Sequence, residues 1–166
     1  MRSTGEVLGL ADSFGLAFFK SQEAVQASLP LEGNILITVA DRDKKAILEA
    51  ARKFYQLGFT ILATKGTREF LQNQGIECRL VRKIQEVRPN IMDIMKNGEV
   101  GLIINTPAGK QSETDDSFIR KNAIKYRIPY ITTTAAALAA AIGIAVRREG
   151  NYTVKSLQEY HQAVLL

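Results

Sequence analysis

A chain of 166 residues with 46% hydrophobic content can build one sizeable core and is too short for two ordinary domains. Its single cysteine, Cys78, excludes an internal disulfide, and its longest apolar stretch, residues 132–146, is shorter than the roughly 20 residues that cross a bilayer. The chain does not open with the charged, apolar and small residues of a secretory signal, so we expect a cytoplasmic protein that does not enter a membrane.

The net charge of +5 raises the question of a nucleic-acid partner. The basic residues do not interleave with aromatic side chains, which proteins that bind single strands use as stacking platforms. Four basic residues recur at helical spacing, which is typical of one solvent-exposed helix face: Arg120, Lys121, Lys125 and Arg127. We therefore predict no nucleic-acid partner.

Short runs of β-forming residues alternate with amphipathic helical runs, as in a parallel sheet covered by helices. Residues 34–39 form the first predicted strand. A helix over residues 44–57 follows, with Asp43 placed to cap its start and Gly58 to end it. The second predicted strand covers residues 59–63.

The middle of the chain continues the same alternation. Thr67 is placed to cap a short helix that ends before Gly75, and the third predicted strand covers residues 76–81. Pro89 starts the next helix, which covers residues 90–97.

The last third of the chain supplies two further strands. Residues 101–105 form the fourth strand, and a polar loop over residues 106–116 leads to the next helix. The fifth strand covers residues 130–132, and the apolar helix at 134–146 is predicted to be buried. Ser156 is placed to cap a final helix. The sequence therefore predicts a doubly wound α/β fold with a mainly five-stranded parallel sheet and helices on both faces.

Polar residues follow each of the first four strands, where an open parallel sheet binds its ligands. Lys44 follows the first strand, residues 64–67 (TKGT) the second, Lys83 the third and residues 105–110 the fourth. Hydroxyl, amide and ammonium donors near a helix amino terminus are what a phosphate group requires. This pattern predicts an anion site, although TKGT is equally typical of a turn capped by Thr67.

Other residues that could bind a metal or take part in catalysis have simpler explanations. Two carboxylate pairs lack a third ligand at metal spacing, so we predict helix caps and no metal: Asp41 with Asp43, and Asp115 with Asp116. Cys78 lies among apolar residues and is predicted to be a small buried hydrophobe. His161 is the only histidine and is predicted to lie on the surface of the last helix.

Several long segments, in order along the chain, resemble the carboxyl-terminal allosteric domain of the carbamoyl-phosphate synthase large subunit of bacterial type. They are MRSTGEVLG, VADRDK, LGFTILATKGT, LVRKIQEVRPNIMDIMKNGEVGLIINTPAGK, SFIRKNAIKYRIPYITT and VKSLQEYH. The resemblance implies the methylglyoxal-synthase-like, Rossmann-like fold. It also implies that residues 1–29 are a lead-in segment and helix from a preceding ATP-grasp part, and that residues 30–166 are the regulatory domain.

The resemblance implies an effector site for a nucleotide monophosphate such as UMP or IMP. The residues that it assigns to the phosphate are Lys44, Thr64, Gly66, Thr67 and Lys83. The residues that it assigns to the base and ribose are Asn105, Thr106, Gly109, Lys110 and Asp115. Thr132 resembles part of an ornithine-linked interface, but Ile131 replaces an acidic residue of the ornithine-responsive members.

The same resemblance implies that this domain has no catalytic residues and no cofactor of its own. The parent protein would be an ATP- and Mg-dependent ligase that makes carbamoyl phosphate for pyrimidine and arginine synthesis. Its expected partners are the ATP-grasp domains of the large subunit, the glutaminase small subunit and a second copy of the chain.

The alternative is methylglyoxal synthase, an enzyme of the same fold that eliminates phosphate from dihydroxyacetone phosphate. That reaction requires a carboxylate base and a histidine electrophile. The glycine-rich Gly-Asp segment of that enzyme is replaced here by residues 84–89, and no histidine lies in the loop after the fourth strand. The sequence therefore favours a binding domain over this enzyme.

Overall fold

A computed structural model describes residues 6–107, 113–150 and 152–164. The predicted site residues Gly109 and Lys110 lie outside these ranges.

The core of the fold is a five-stranded sheet in which every pair of neighbouring strands is parallel. The strands are β1 (Asn34–Thr38), β2 (Thr60–Ala63), β3 (Cys78–Leu80), β4 (Leu102–Asn105) and β5 (Tyr130–Ile131). Their spatial order is β3-β2-β1-β4-β5, so the chain adds strands on one side of β1 and then on the other. The predicted doubly wound α/β fold is confirmed.

Seven helices are found in the described part of the chain. They are α1 (Phe14–Ala24), α2 (Lys44–Gln56), α3 (Lys65–Asn73), α4 (Ile91–Lys96), α5 (Glu113–Lys125), α6 (Thr134–Arg148) and α7 (Leu157–Val164). A 3₁₀ turn at Asp41–Asp43 leads directly into α2. None of these helices has both the length and the apolar character of a membrane span.

Alternating side chains of the strands face two separate cores. Ile35 and Ile37 of β1 pack with α1, α2, α3 and α6, whereas Leu36 between them packs with α4 and α5. All three side chains are fully buried. Helices therefore cover both faces of the sheet. The ends of the parallel strands stay uncovered by these helices.

Two predicted helix ends are confirmed, and one cap was not predicted. Gly58 ends α2 with a positive φ of 80°. Asn90, predicted as the first residue of its helix, instead caps α4 in a reciprocal capping box with Asp93. Ser156 makes the equivalent pair with Glu159 at the start of α7. These hydrogen bonds from Ser156 hold the pKa of Glu159 below its ordinary value.

Three local predictions are wrong. Thr67 is not a cap, because α3 begins at Lys65 and Thr67 lies buried in its first turn. Asp43 occupies the N-cap position of α2 without a capping hydrogen bond, and its carboxylate lies 3.7 Å from the guanidinium of Arg42. The loop predicted to run to residue 116 ends earlier, since α5 starts at Glu113.

The amino-terminal helix α1 packs directly on the sheet-covering helix α6. Leu16 and Phe19 of α1 are buried. The two backbones meet at Gly15 and Gly143, where a Cβ added to Gly143 would lie 2.3 Å from the carbonyl oxygen of Gly15. The carboxyl-terminal segment contacts α1 as well, because the hydroxyl of Tyr152 donates to Glu23 at 2.6 Å. The helix within residues 1–29 is thus packed on the fold, and the proposed domain boundary stays a prediction.

We expect Gly143→Ala to destabilise the fold by about 1–3 kcal/mol, because the added methyl group would overlap the backbone of α1. Helix propensity acts in the opposite direction, since Ala is favoured over Gly by about 1 kcal/mol inside an exposed helix. Ala135→Leu, at an exposed position of the same helix, serves as the control and should change stability by less than about 0.5 kcal/mol. Chemical denaturation measures both, and a stabilised Gly143→Ala variant would contradict the close helix contact.

Candidate functional site

A polar cleft lies at the carboxyl ends of the central strands, where the order of the strands reverses. β1 and β4 pair so that Thr38 lies beside Asn105, and the chain leaves these two residues toward opposite sides of the sheet. Such a reversal opens a crevice at the carboxyl ends of the strands. The cleft is lined by Thr38, Val39, Ala40, Asp41, Lys44, Thr64, Gly66, Thr67, Lys83, Ile84, Ile91, Asn105, Thr106, Asp115, Asp116 and Ile119.

Lys44 brings a positive charge to the floor of this cleft. It is the first residue of α2, and only 21% of its side chain is exposed. Its Nζ lies 2.8 Å from Asp41 Oδ1, and a Cβ added to Gly66 would lie 3.4 Å from the same Nζ. The ammonium group therefore lies over the first turn of α3, where Gly66 has no side chain to push it away.

The amino terminus of α3 opens into the cleft beside this lysine. Thr64 is its N-cap residue but makes no capping hydrogen bond through its side chain, and the first intrahelical bond runs from Arg68 N to Thr64 O at 2.8 Å. The backbone N–H groups of Lys65, Gly66 and Thr67 thus have no carbonyl partner within the helix. Such a helix end carries a partial positive charge and free donors, which favour an anion.

Two buried threonines fix the backbone that leaves β1. Thr67 Oγ1 accepts a hydrogen bond from Val39 N at 3.3 Å, and Thr106 Oγ1 accepts one from Ala40 N at 3.0 Å. A threonine hydroxyl that accepts still has its own proton to donate. These two residues therefore hold the turn between β1 and α2 and keep a donor for another group.

The segment after β3 brings Lys83 to the mouth of the cleft. Its side chain is exposed, while its backbone N–H donates to Glu86 Oε2 at 2.8 Å. The side-chain amide of the buried Asn90 donates to Ile84 O at 3.2 Å, which fixes the same turn to α4. The position of Lys83 is therefore set by its backbone, and its ammonium group remains in solvent.

The opposite end of the cleft is acidic and rich in hydrogen bonds. Asn105 Nδ2 donates to Asp116 Oδ1 at 2.9 Å and to the hydroxyl oxygen of Tyr130 at 2.7 Å. Gln85 Nε2 donates to Asp115 Oδ1 at 3.0 Å. Burial raises the pKa of Tyr130 above its ordinary value, so its hydroxyl stays protonated near neutral pH. This end offers carboxylate oxygens to a ligand that carries hydroxyl or N–H donors.

The structure brings eight of the predicted site residues into this one cleft: Lys44, Thr64, Gly66, Thr67, Lys83, Asn105, Thr106 and Asp115. Thr132 is exposed after β5 and does not line the cleft.

Three polar residues of the cleft were not predicted from the sequence to lie there: Thr38, Asp41 and Asp116. Thr38 is the last residue of β1, and its hydroxyl lies 3.2 Å from that of Thr64, which the alternation of strand side chains does not reveal. Asp116 and Asp41 were interpreted only as caps or metal ligands. The hydrogen bond to Lys44, assisted by its charge and that of Lys83, holds the pKa of Asp41 below its ordinary value, so the carboxylate is ionised at neutral pH.

The remaining candidate residues lie away from the cleft. Cys78 is buried as predicted, and this burial raises the pKa of its thiol to about 11. His161 is exposed on α7 as predicted, and Arg120, Lys121, Lys125 and Arg127 are all exposed. No group of three metal-ligating side chains is found within the described ranges.

These features define a class of protein: a doubly wound parallel α/β domain with a basic helix terminus at its strand reversal, suited to bind an anion. The family comparison agrees with this class. The model of the "MGS-like domain" matches residues 46–132, from α2 to the end of β5. The chain belongs to this family.

Curated relatives extend the similarity to nearly the whole chain. The chain is 49% identical over 163 residues, 98% of its length, to the "Carbamoyl phosphate synthase large chain, C-terminal section" of Methanopyrus kandleri. It is 45% identical over 97% of its length to the section of that name from Aquifex aeolicus, and 48% identical over 98% to the large chain of Archaeoglobus fulgidus. The chain spans 30%, 31% and 15% of these three proteins, respectively. The family resemblance predicted from the sequence is confirmed, and the relatives of the chain are both archaeal and bacterial.

The threonine hydrogen bonds predict a stability effect at the cleft. Thr67→Val and Thr106→Val keep the shape of the side chain but leave the buried N–H of Val39 or Ala40 without its acceptor, so each should cost about 1–3 kcal/mol. The control Thr132→Val, at an exposed position, should change stability by less than about 0.5 kcal/mol. Urea denaturation of the three variants measures this, and equal stabilities would refute the role of the two hydroxyls.

Proposed function

We propose that this chain is an allosteric regulatory domain that binds a nucleotide monophosphate, UMP or IMP in class, in the cleft at the strand reversal. The observation that supports this function most strongly is the position of Lys44 Nζ over the open first turn of α3, beside Gly66. A phosphate monoester carries between one and two negative charges and three acceptor oxygens, which match these donors.

The phosphate would lie between Lys44 and the first turn of α3. The backbone N–H groups of that turn and the hydroxyls of Thr64 and Thr67 would donate to its oxygens, and Lys83 would approach from solvent. Gly66 would let the phosphate come close to the backbone. This arrangement uses every residue that the resemblance assigned to the phosphate.

The nucleoside would extend toward the acidic end of the cleft. The carboxylate of Asp115 would accept from ribose hydroxyls, and Asn105 and Thr106, which line the same cleft, would contact the ribose or the base. Gly109 and Lys110 are assigned to the same side on the resemblance alone.

A catalytic role for the cleft is disfavoured. The only histidine of the sequence lies on α7, whereas elimination of phosphate from dihydroxyacetone phosphate requires one in the pocket. We therefore propose that the domain is regulatory and holds no cofactor or metal, and that catalysis belongs to other parts of a longer protein.

The longer protein would be an ATP- and Mg-dependent carbamoyl-phosphate synthase of the cytoplasm. Its ATP-grasp domains and glutaminase subunit would be the partners of this domain, and homo-oligomers are a further option. Effector binding would tune carbamoyl phosphate synthesis for the pyrimidine and arginine pathways by a coupling free energy of roughly 1–3 kcal/mol. Thr132 would belong to an interface with these domains.

We expect Lys44→Ala to weaken binding of UMP or IMP by about ten- to a hundredfold, because it removes a partly buried charge-assisted hydrogen bond. Lys83→Ala should weaken binding less, by about tenfold or below, since its exposed charge is screened by solvent. Calorimetric titration measures both.

The matched control is Lys45→Ala, which removes an exposed lysine one position along α2 and should leave the affinity within about twofold of the wild type. Uridine and inosine, which lack the phosphate, should bind weakly to all the proteins. Equal affinities in Lys44→Ala, Lys83→Ala and Lys45→Ala would place the phosphate elsewhere. If neither nucleotide binds the wild type, the proposed function fails.

Incubation with dihydroxyacetone phosphate separates the binding domain from the enzyme of the same fold. No methylglyoxal should form, because no histidine is present in the cleft to polarise the substrate. Turnover proportional to the concentration of purified protein would overturn the regulatory function.

A further inference from the structure

Asp41 places a negative charge beside Lys44, where the phosphate of the proposed ligand would also place negative charge. It is the first residue of the 3₁₀ turn after β1, lines the cleft and has a side chain that is 93% exposed. Its Oδ1 makes a 2.8 Å ion pair with Lys44 Nζ, the lysine that lies over the amino terminus of α3. A carboxylate in this position has no role in the phosphate site described above.

The neighbouring carboxylate, Asp43, differs in each of these respects. It does not line the cleft, and its Oδ2 lies 3.7 Å from Arg42 rather than beside Lys44. The 3₁₀ turn therefore presents one carboxylate to the cleft and one away from it, two residues apart.

We propose that Asp41 is an affinity-determining residue: its carboxylate competes with the phosphate of the ligand for Lys44 and thereby lowers the affinity of the cleft for anions. This inference rests on the proposed phosphate site and adds an internal competitor to it. An ammonium group has three donors, and the one directed at Asp41 serves a ligand only when the ion pair opens.

Competition at an exposed ion pair has a predictable size. Such pairs contribute little because solvent competes for both partners, so removal of the carboxylate should raise the affinity of UMP or IMP by about two- to tenfold. The increase should become smaller between 0.05 and 0.5 M salt, because added ions screen exposed charges. The Debye length is about 10 Å at 0.1 M salt and about 3 Å at 1 M, so exposed charges are screened progressively over this range.

The decisive experiment is calorimetric titration of the wild type, Asp41→Asn and Asp43→Asn with the two nucleotides and with inorganic phosphate. Asp41→Asn should bind all three more tightly, while Asp43→Asn should stay close to the wild type although it removes the same charge. Uridine, which has no charge to compete for Lys44, should gain nothing. Melting temperatures without ligand check that neither variant unfolds.

A second pair of variants separates competition from simple repulsion. In a Lys44→Ala background, the further change Asp41→Asn should increase the affinity by less than it does in the wild type, because the contested lysine is absent. An undiminished increase would show that Asp41 repels the ligand without competing for Lys44, and the inference would be overturned.

The outcomes also separate this inference from the proposed function. If the wild type binds a nucleotide and Asp41→Asn binds no more tightly than Asp43→Asn, the competition is refuted and the phosphate site stands. If neither the wild type nor Asp41→Asn binds any of the phosphate probes, both proposals are refuted.

Discussion

Thr38 lies beside Asn105 because β1 and β4 pair in parallel at the centre of the sheet, where the chain changes the side on which it adds strands. The rest of the cleft depends on this pairing. Segments that are distant in the sequence meet there because parallel strands end at one edge, and the reversal prevents the loops from covering it. Lys44, the first turn of α3 and the start of α5 are all placed by this single topological constraint.

The backbone at this edge is held by side chains instead of by further strands. The N–H groups of Val39 and Ala40 lie beyond the last paired residue of β1, and each would be buried without a partner if Thr67 and Thr106 did not accept from it. Both threonines also line the cleft. The turn between β1 and α2 is therefore held by the protein itself, and a ligand would not need to order this segment.

The sequence predicts the fold well because the buried strands and the helix ends carry local signals, such as Gly58 after α2 and Ser156 before α7. It also predicts eight of the sixteen described residues that line the cleft, since polar residues near the carboxyl ends of parallel strands are recognisable in the sequence. It fails where a tertiary partner decides the outcome. The sequence predicts Thr67 as a helix cap, but in the fold its hydroxyl accepts from the N–H of Val39. The sequence also predicts Asp41 as a cap, but in the fold its carboxylate pairs with Lys44.

The central claim is that the first turn of α3 binds a phosphate group, and the most direct test is a ¹H–¹⁵N correlation spectrum recorded during titration with UMP or IMP. The amide resonances of Lys65, Gly66 and Thr67 should move most, with a downfield proton shift at Gly66 from a hydrogen bond to the phosphate. Uridine or inosine should leave that resonance in place. Saturable shifts confined to residues outside the cleft, with Gly66 unchanged, would contradict the account.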